Sequence, residues 1–418
     1  MKRSYDIILW GASGFTGALV AEYFLREYGL NKTIKWAIAG RNKQKLNALR
    51  LKLKSIDHNA LKIPILIGDS LDIKTLEPIV KETHVICSTI GPYLKYGKLL
   101  IEACVNQRTD YCDITGESPF IRENIEKYFN IAKSKSIKIV HCCGYDSIPS
   151  DLGCLMIQDF SIKINNAPCN KVRLYVEETK GGFSGGTIAS MLNMMKESKI
   201  DKNMKKVIKD PYAFNILGIW RGNDNLGQKD IRWDSDINKW TGPFIMAMIN
   251  TKIVRFSNEI MGIKYGKDFS YQEVMTFPRG KLNLIRAKIF RLGLGLFSYI
   301  QKLKIISILF NKLFLPKPGE GPSKIKREGG YFNLTLIGKG INNGKNFKVV
   351  GTIYGDKDPG YAGTARMIGE AAICLSKHKE KLPKKFGVLT PASAIGKKLI
   401  ERLSKKGMEF KVKAKNTI

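Results

Sequence analysis

Three glycines, Gly11, Gly14 and Gly17, follow the apolar run Asp6-Ile7-Ile8-Leu9-Trp10. After them, Ala18 to Leu25 places apolar residues at helical spacing. A strand, a glycine turn and a helix in that order present free amides to a phosphate, and the missing side chains let the backbone approach it closely. Ser13 and Thr16 add hydroxyl donors beside Phe15. Gly11, Ser13, Gly14, Phe15 and Thr16 are therefore the expected pyrophosphate contacts. The spacing is G-x-x-G-x-x-G, not the G-x-G-x-x-G usual in NAD dehydrogenases. A second signal closes the next strand, where Ala39-Gly40-Arg41 stands. An NAD site would place a carboxylate there for the ribose 2′-hydroxyl; a guanidinium suits a 2′-phosphate. Arg41 thus favours NADP, with adenine stacking or a solvent-facing side chain as the alternatives.

Further along, strand ends supply the rest of the groove, because ligands of a doubly wound sheet lie at the carboxyl ends of its strands. Asp69 follows the strand 63–67 and is placed to reach the adenine amino group. Ser88, Thr89, Gly91 and Tyr93 end the strand 84–90 and are expected at the nicotinamide half. The strand 137–143 runs into Gly144-Tyr145-Asp146-Ser147. Acid–base chemistry at the nicotinamide end needs positioned proton donors near the groove. Tyr145, Asp146 and Tyr93 are the candidates for this role, ahead of His141. The Ser-x-x-x-Tyr-x-x-x-Lys set of short-chain dehydrogenases is not evident in the sequence.

These residues require an element pattern to hold them. Strand and helix alternate over the first 150 residues, which predicts an open, parallel, Rossmann-type α/β sheet. From Asn170 the pattern changes to strictly alternating segments at 171–176, 271–277, 331–337 and 347–354. They predict a second, antiparallel sheet, its last two strands joined in a hairpin across a Gly/Asn loop. A second glycine-rich turn, 180–191, opens a helix and reads either as a capped loop or as a closure over the substrate. Residues 201–250 read as loop-rich. Near the end, Met367, Ile368, Ala371, Ala372 and Leu375 form one helical stripe, and Thr390-Pro391 starts another helix.

With 418 residues and a 44% hydrophobic fraction, the chain is long enough for two or three packed domains and too apolar for extensive disorder. The boundaries expected are 1–155 for cofactor binding, 156–355 for substrate and 356–418 for C-terminal helices. The formal charge of +33 is carried largely by lysine. It reads as a solvated face or as attraction to anionic partners such as a phospholipid surface or an acyl carrier protein. Nucleic acid is set aside, because no helix-turn-helix, zinc finger or aromatic RNA-binding motif is present. Eight cysteines without C-x-x-C spacing read as buried, reduced thiols rather than a metal site or disulfide framework. Met1 to Asp6 leads directly into the first strand, and the default expectation is a cytoplasmic protein, with peripheral membrane contact as an option. That option rests on 282–315, an apolar stretch broken by basic residues. Its longest uncharged run is ten residues, whereas a membrane span needs about 20. It reads either as a basic amphipathic helix for a membrane interface or lipid, or as a helix pair packed on the core. Oligomeric state stays open.

The motifs Gly-Ala-Ser-Gly-Phe-Thr-Gly at 11–17, Ala-Gly-Arg at 39–41, Gly-Pro-Tyr at 91–93, Tyr-Cys-Asp-Ile-Thr-Gly-Glu at 111–117 and Gly-Tyr-Asp-Ser-Ile-Pro-Ser-Asp at 144–151 together resemble the saccharopine dehydrogenase-like oxidoreductases. Within that group they are similar to the trans-acting enoyl reductase branch. Asp358-Pro359-Gly360-Tyr361 and Thr390-Pro391-Ala392 add to the likeness. The resemblance implies an inserted α+β domain and a C-terminal return toward the first domain. It also implies NADP-linked reduction of a carbon–carbon double bond in a long-chain, polyketide-derived lipid precursor. Two other readings keep the cofactor: an imine or 2-oxoacid reductase of the saccharopine type, and a non-enzymatic, membrane-associated NADP-binding protein. The first needs a small polar pocket, against which the apolar stretch 282–315 argues.

Overall fold

The computed structural model describes residues 3–31, 33–181, 190, 192–194, 196–197, 201–225, 227–301, 303 and 328–415. The glycine-rich residues 182–189 and the second part of the apolar stretch, 304–315, lie outside the described residues.

Along the chain run β1 (Tyr5–Trp10), β2 (Trp36–Gly40), β3 (Ile65–Ile67), β4 (Thr83–Ser88), β5 (Asp110–Asp113) and β6 (Lys138–Val140). There follow β7 (Lys171–Lys180), β8 (Arg232–Asp234), β9 (Lys239–Pro243), β10 (Ser270–Phe277), β11 (Tyr331–Asn342), β12 (Lys345–Gly355), β13 (Gly387–Leu389) and β14 (Met408–Lys415). The first sheet has the order β13-β6-β5-β4-β1-β2-β3 with every pairing parallel. Parallel strands covered by helices on both faces must be apolar throughout. The sequence complies: Ile7 to Trp10 and Trp36 to Ala39 are fully buried. The order reverses between β1 and β4, the switch point where a doubly wound sheet opens a crevice.

The second sheet has the order β14-β12-β11-β7-β10-β9-β8. It is mixed rather than antiparallel: β7 and β10 pair in parallel, from Lys171 opposite Ser270 to Val176 opposite Met275. Alternation reveals a strand with one wet face but not its direction, so the sequence could not show this pairing. The hairpin expected from the Gly/Asn loop is present, with Asn343 and Gly344 both at positive φ between β11 and β12, as a two-residue hairpin turn requires. Within 201–250, read as loop, lie a helix (Lys202–Lys209), the short β8–β9 hairpin and the start of a helix (Ala247–Ile260).

The helix Ile148–Asn165 starts at the end of the first sheet and packs on the second. A Cβ on Gly153 would fall 2.6 Å from Ile353 Cδ1, so this contact needs glycine. After Gly355 the chain contributes to both sheets. The helix Thr364–Lys377 buries Glu370, which accepts hydrogen bonds from Tyr23 Oη at 2.5 Å and Arg402 Nε at 2.6 Å, and from the Tyr28 hydroxyl. That cluster fixes the C-terminal helices to the helix Phe15–Tyr28. β13 then joins β6, and β14 joins β12. Thr390 and Ser393 form a reciprocal cap on the turn between them. All eight cysteines are unpaired and buried.

Candidate functional site

The site is built on the ends of β1, β4, β5 and β6. Gly11 leaves β1 with φ of 80°, and Gly14 stands as N-cap of the helix Phe15–Tyr28. A Cβ on Gly17 would lie 2.3 Å from Gly11 O and 2.8 Å from Ala12 Cα, so only glycine lets the helix approach the turn this closely. No side chain caps this helix, and no acidic residue stands in its first turn. Its leading amides therefore remain available to an anion. Ser13 and Gly14 are exposed, while Phe15 and Thr16 are partly buried. Thr89 fixes the turn from below: its Oγ1 lies 3.1 Å from Trp10 O and 3.3 Å from Gly11 O, and its amide donates to Trp10 O.

At the end of β2, Arg41 is exposed and makes no hydrogen bond or ion pair among the described residues. An unused guanidinium beside a glycine cradle fits a dinucleotide carrying a 2′-phosphate. Asp69 is half-buried, and its Oδ1 accepts the Leu71 amide at 3.0 Å, which leaves one oxygen for a ligand.

The other half of the groove separates the predicted tyrosines. Tyr93 is buried; its hydroxyl donates to Ser88 O at 3.1 Å and accepts from the Ile114 amide at 3.4 Å. Burial pushes this phenol well above its ordinary pKa. Its own amide and that of Leu94 donate to the buried Glu117 carboxylate, at 2.8 and 2.9 Å. Tyr93 is thus held at its hydroxyl by strand-end backbone and at its amide by the Glu117 carboxylate. Ser190, at the far end of the second glycine-rich turn, meets the same corner. Its Oγ lies 3.5 Å from where a Gly91 Cβ would stand, and it hydrogen-bonds Glu117.

Tyr145 stands differently. Its hydroxyl oxygen is buried and has no hydrogen-bond partner among the described residues. The ring packs edge-on to Phe332 of β11 at 5.0 Å, and the amide donates to Thr364 Oγ1 at 3.1 Å. Burial, then the charges of Glu273 and Asp146, hold the phenol protonated. Asp146 is partly buried and accepts no hydrogen bond among the described residues; burial alone raises its pKa to about 6. Its Oδ2 faces the loop after β5, 3.9 Å from where a Gly116 Cβ would lie. Leading into this pair, Cys142 adopts the left-handed conformation, φ 61°, with its thiol 2.9 Å from Thr115 O. A non-glycine residue held there is backbone strain located at the site. His141 is locked away: Nδ1 lies 2.8 Å from Asp113 Oδ2, and Nε2 faces Asn124.

Several supporting residues were not assigned to the site by the sequence reading. Asp358 to Gly363 forms a tight turn in which Asp358 Oδ1 accepts the Ala362 amide. Tyr361, in that turn, packs edge-on to Phe15 at 4.8 Å, and Thr364 just beyond it holds Tyr145. Glu273 on β10 accepts hydrogen bonds from Asn250 Nδ2 and the Tyr271 hydroxyl, both at 2.9 Å, and burial lifts its pKa to about 7. The Asp-Pro-Gly-Tyr motif was a usable signal for the first group. Glu273, inside an alternating strand, had none.

A Rossmann-type sheet with a glycine cradle, in a chain that also builds a mixed second sheet, defines a dinucleotide-binding fold. Residues 7–140 match the saccharopine dehydrogenase NADP-binding domain. The saccharopine dehydrogenase (L-Glu forming) of Saccharomyces cerevisiae shares the fold, with a TM-score of 0.55 at 14% identity over 99% of this chain and 100% of that one. The sequence comparison is closer. A trans-acting enoyl reductase of Mycobacterium ulcerans is 31% identical over 427 residues, covering 97% of both chains. A Mycobacterium tuberculosis relative with the same family name is 35% identical over 419 residues, covering 98% of this chain and 97% of its own. The chain belongs to the trans-acting enoyl reductase family.

Proposed function

We propose that this chain reduces a carbon–carbon double bond conjugated to the carbonyl of a long-chain, polyketide-type acyl group. The observation that carries the reading is the Tyr145–Asp146 pair: a buried phenol beside a carboxyl raised to about 6, neither with a hydrogen-bond partner among the described residues, at a strand end of the cofactor groove. Gly11, Ser13, Gly14, Phe15 and Thr16 would hold the pyrophosphate, Arg41 the 2′-phosphate, Asp69 the adenine, and Ser88, Thr89 and Gly91 the nicotinamide end. Bound there, NADPH would supply a hydride for the β-carbon. Tyr145 donates its free hydroxyl hydrogen to the substrate carbonyl oxygen, a bond that strengthens as that oxygen gains charge. Asp146, in its acid form, delivers the proton to the α-carbon. Hydride and proton together saturate the bond. Tyr93, whose hydroxyl is held by backbone groups, keeps the strand ends in place.

The relatives are named as acting in trans, which supports a substrate presented by a separate synthase on an acyl carrier protein. A chain of net charge +33 suits such acidic carriers and also an anionic membrane surface.

The test is turnover of purified protein with NADPH and long-chain 2-enoyl thioesters, free and carrier-bound. We expect NADPH oxidation coupled to a product heavier by two hydrogens. In cells, deletion should accumulate lipids lighter by two hydrogens. Tight NADPH binding with no oxidation by any enoyl thioester, but with oxidation by an imine or 2-oxoacid, would overturn the reading.

A further inference from the structure

The helix Lys281–Ile300 is held to the molecule by a narrow edge. Of its 20 residues only Ala287 is buried. Phe290 packs on Phe277 of β10 at 5.8 Å, and Arg291 pairs with Asp230 at 2.8 Å. Leu282, Ile285, Ile289, Leu292, Leu296 and Tyr299 are between 52% and 70% exposed. At 100° per residue these six fall within a sector of about 100°, on the side away from Ala287 and Phe290. Solvent-facing sides of helices ordinarily carry polar residues; here the apolar stripe faces outward. Lys281 and Lys288 flank it on one side and Arg286 on the other, and the helix contains no acidic residue. The described part of the 282–315 stretch therefore presents this stripe outward instead of packing it on the core. Among the described residues, no helix is long and apolar enough to cross a membrane.

We propose that the helix Lys281–Ile300 docks in the plane of an anionic phospholipid surface, its apolar stripe entering the acyl boundary while the flanking cations meet the headgroups. Charge complementarity selects this occupant: basic flanks on a chain of net charge +33 match anionic lipid. The helix is about 30 Å long, which gives it the footprint of an interfacial helix. Docking would place a lipid-modifying enzyme where long acyl chains reside, but it does not depend on the chemistry proposed for Tyr145 and Asp146.

The experiment is co-sedimentation of the full chain with phosphatidylcholine vesicles, with or without phosphatidylglycerol. NADPH affinity and melting temperature serve as fold controls. We expect binding to the anionic vesicles only, weakened by salt. The double variant Ile289→Glu/Leu292→Glu should bind at least about tenfold less, and so should Lys281→Glu/Lys288→Glu. The distant variant Lys405→Glu should lose far less. Equal loss in Lys405→Glu would reduce the effect to general charge and overturn the proposal. So would a lowered melting temperature in Ile289→Glu/Leu292→Glu, which would place the stripe against the chain itself. Dissociation of a dimer by that variant would assign the stripe to a second copy. Loss of binding to an acyl carrier protein, with vesicle binding unchanged, would assign it to a protein partner.

Discussion

The two ends of the groove are made of different material. The end at Gly11–Gly17 is backbone: glycines, the amides of an uncapped helix and a threonine hydroxyl turned inward to carbonyls. The end at Gly144–Asp146 is side chain: a phenol and a carboxyl without hydrogen-bond partners among the described residues, in a largely buried setting. A backbone site is specified by what residues lack, and it tolerates little change at Gly17, where an added Cβ would fall 2.3 Å from Gly11 O. A side-chain site depends on what packs around it, here Phe332, Thr364 and Glu273 from distant parts of the chain. The first kind resists substitution through geometry, and the second tunes protons through environment.

Breaking the backbone end should have the largest effect. Gly17→Val places carbon where Gly11 O already stands, so NADPH affinity should fall at least about a hundredfold in fluorescence titration, roughly 3 kcal/mol. Calorimetry would separate this from unfolding, and unchanged affinity would mean the cradle does not bind the cofactor. At the side-chain end, Asp146→Asn should lower kcat by about 10² while leaving NADPH affinity nearly intact. In the parent enzyme kcat/KM should decline as pH rises through about 6, because the acid form donates; Asn removes that limb. The same group bears on stability with a definite sign. Its folded pKa lies above the unfolded value of 3.8, so stability is lost as pH rises from about 4 to 6. Asp146→Asn should therefore be more stable than the parent at neutral pH, by up to about 3 kcal/mol, and show little difference at pH 4.

Smaller effects sharpen the comparison. Arg41→Glu should shift preference from NADPH toward NADH by about tenfold or more with an unchanged melting temperature, since Arg41 supports nothing else among the described residues. An unaltered NADPH/NADH ratio would leave Arg41 as a solvated side chain. The two tyrosines form the finest contrast. Tyr145→Phe removes a hydroxyl with no partner among the described residues, so kcat should drop about tenfold without loss of stability. Tyr93→Phe removes one that donates to Ser88 O, so stability should fall by about 1 kcal/mol while kcat changes little. The reverse outcome would exchange their roles.

The cradle was legible because glycine spacing and an apolar run act locally, so Asp6 to Leu25 could be read without knowing what packs above. β5, Asp110–Asp113, was equally clear between two helical patterns. β8 escaped because Arg232-Trp233-Asp234 is too short to show a period, and β13 because three residues that begin with a glycine resemble any turn. β14 escaped because lysines alternate with Phe410 and Val412, which reads as a charged tail until a neighbouring strand is known. Tyr93 and Tyr145 look alike in sequence, each one or two residues after a glycine. Only the carbonyl of Ser88 and the ring of Phe332 distinguish them.

β13 has a consequence for the order in which the molecule can be completed. β6 is finished at Val140, yet its outer edge pairs with Gly387–Leu389, almost 250 residues later in synthesis. On the ribosome, the cofactor-binding sheet must wait with that edge open while the whole second sheet except β14 is made. An unpaired edge is a template for wrong partners. Lys138 shows how the late closure is secured: its ammonium donates to the carbonyls of Pro383, Lys385 and Ala394, the residues that deliver β13 to its place. One buried amine at the end of the first sheet thus acts as the latch that the last part of the chain must find.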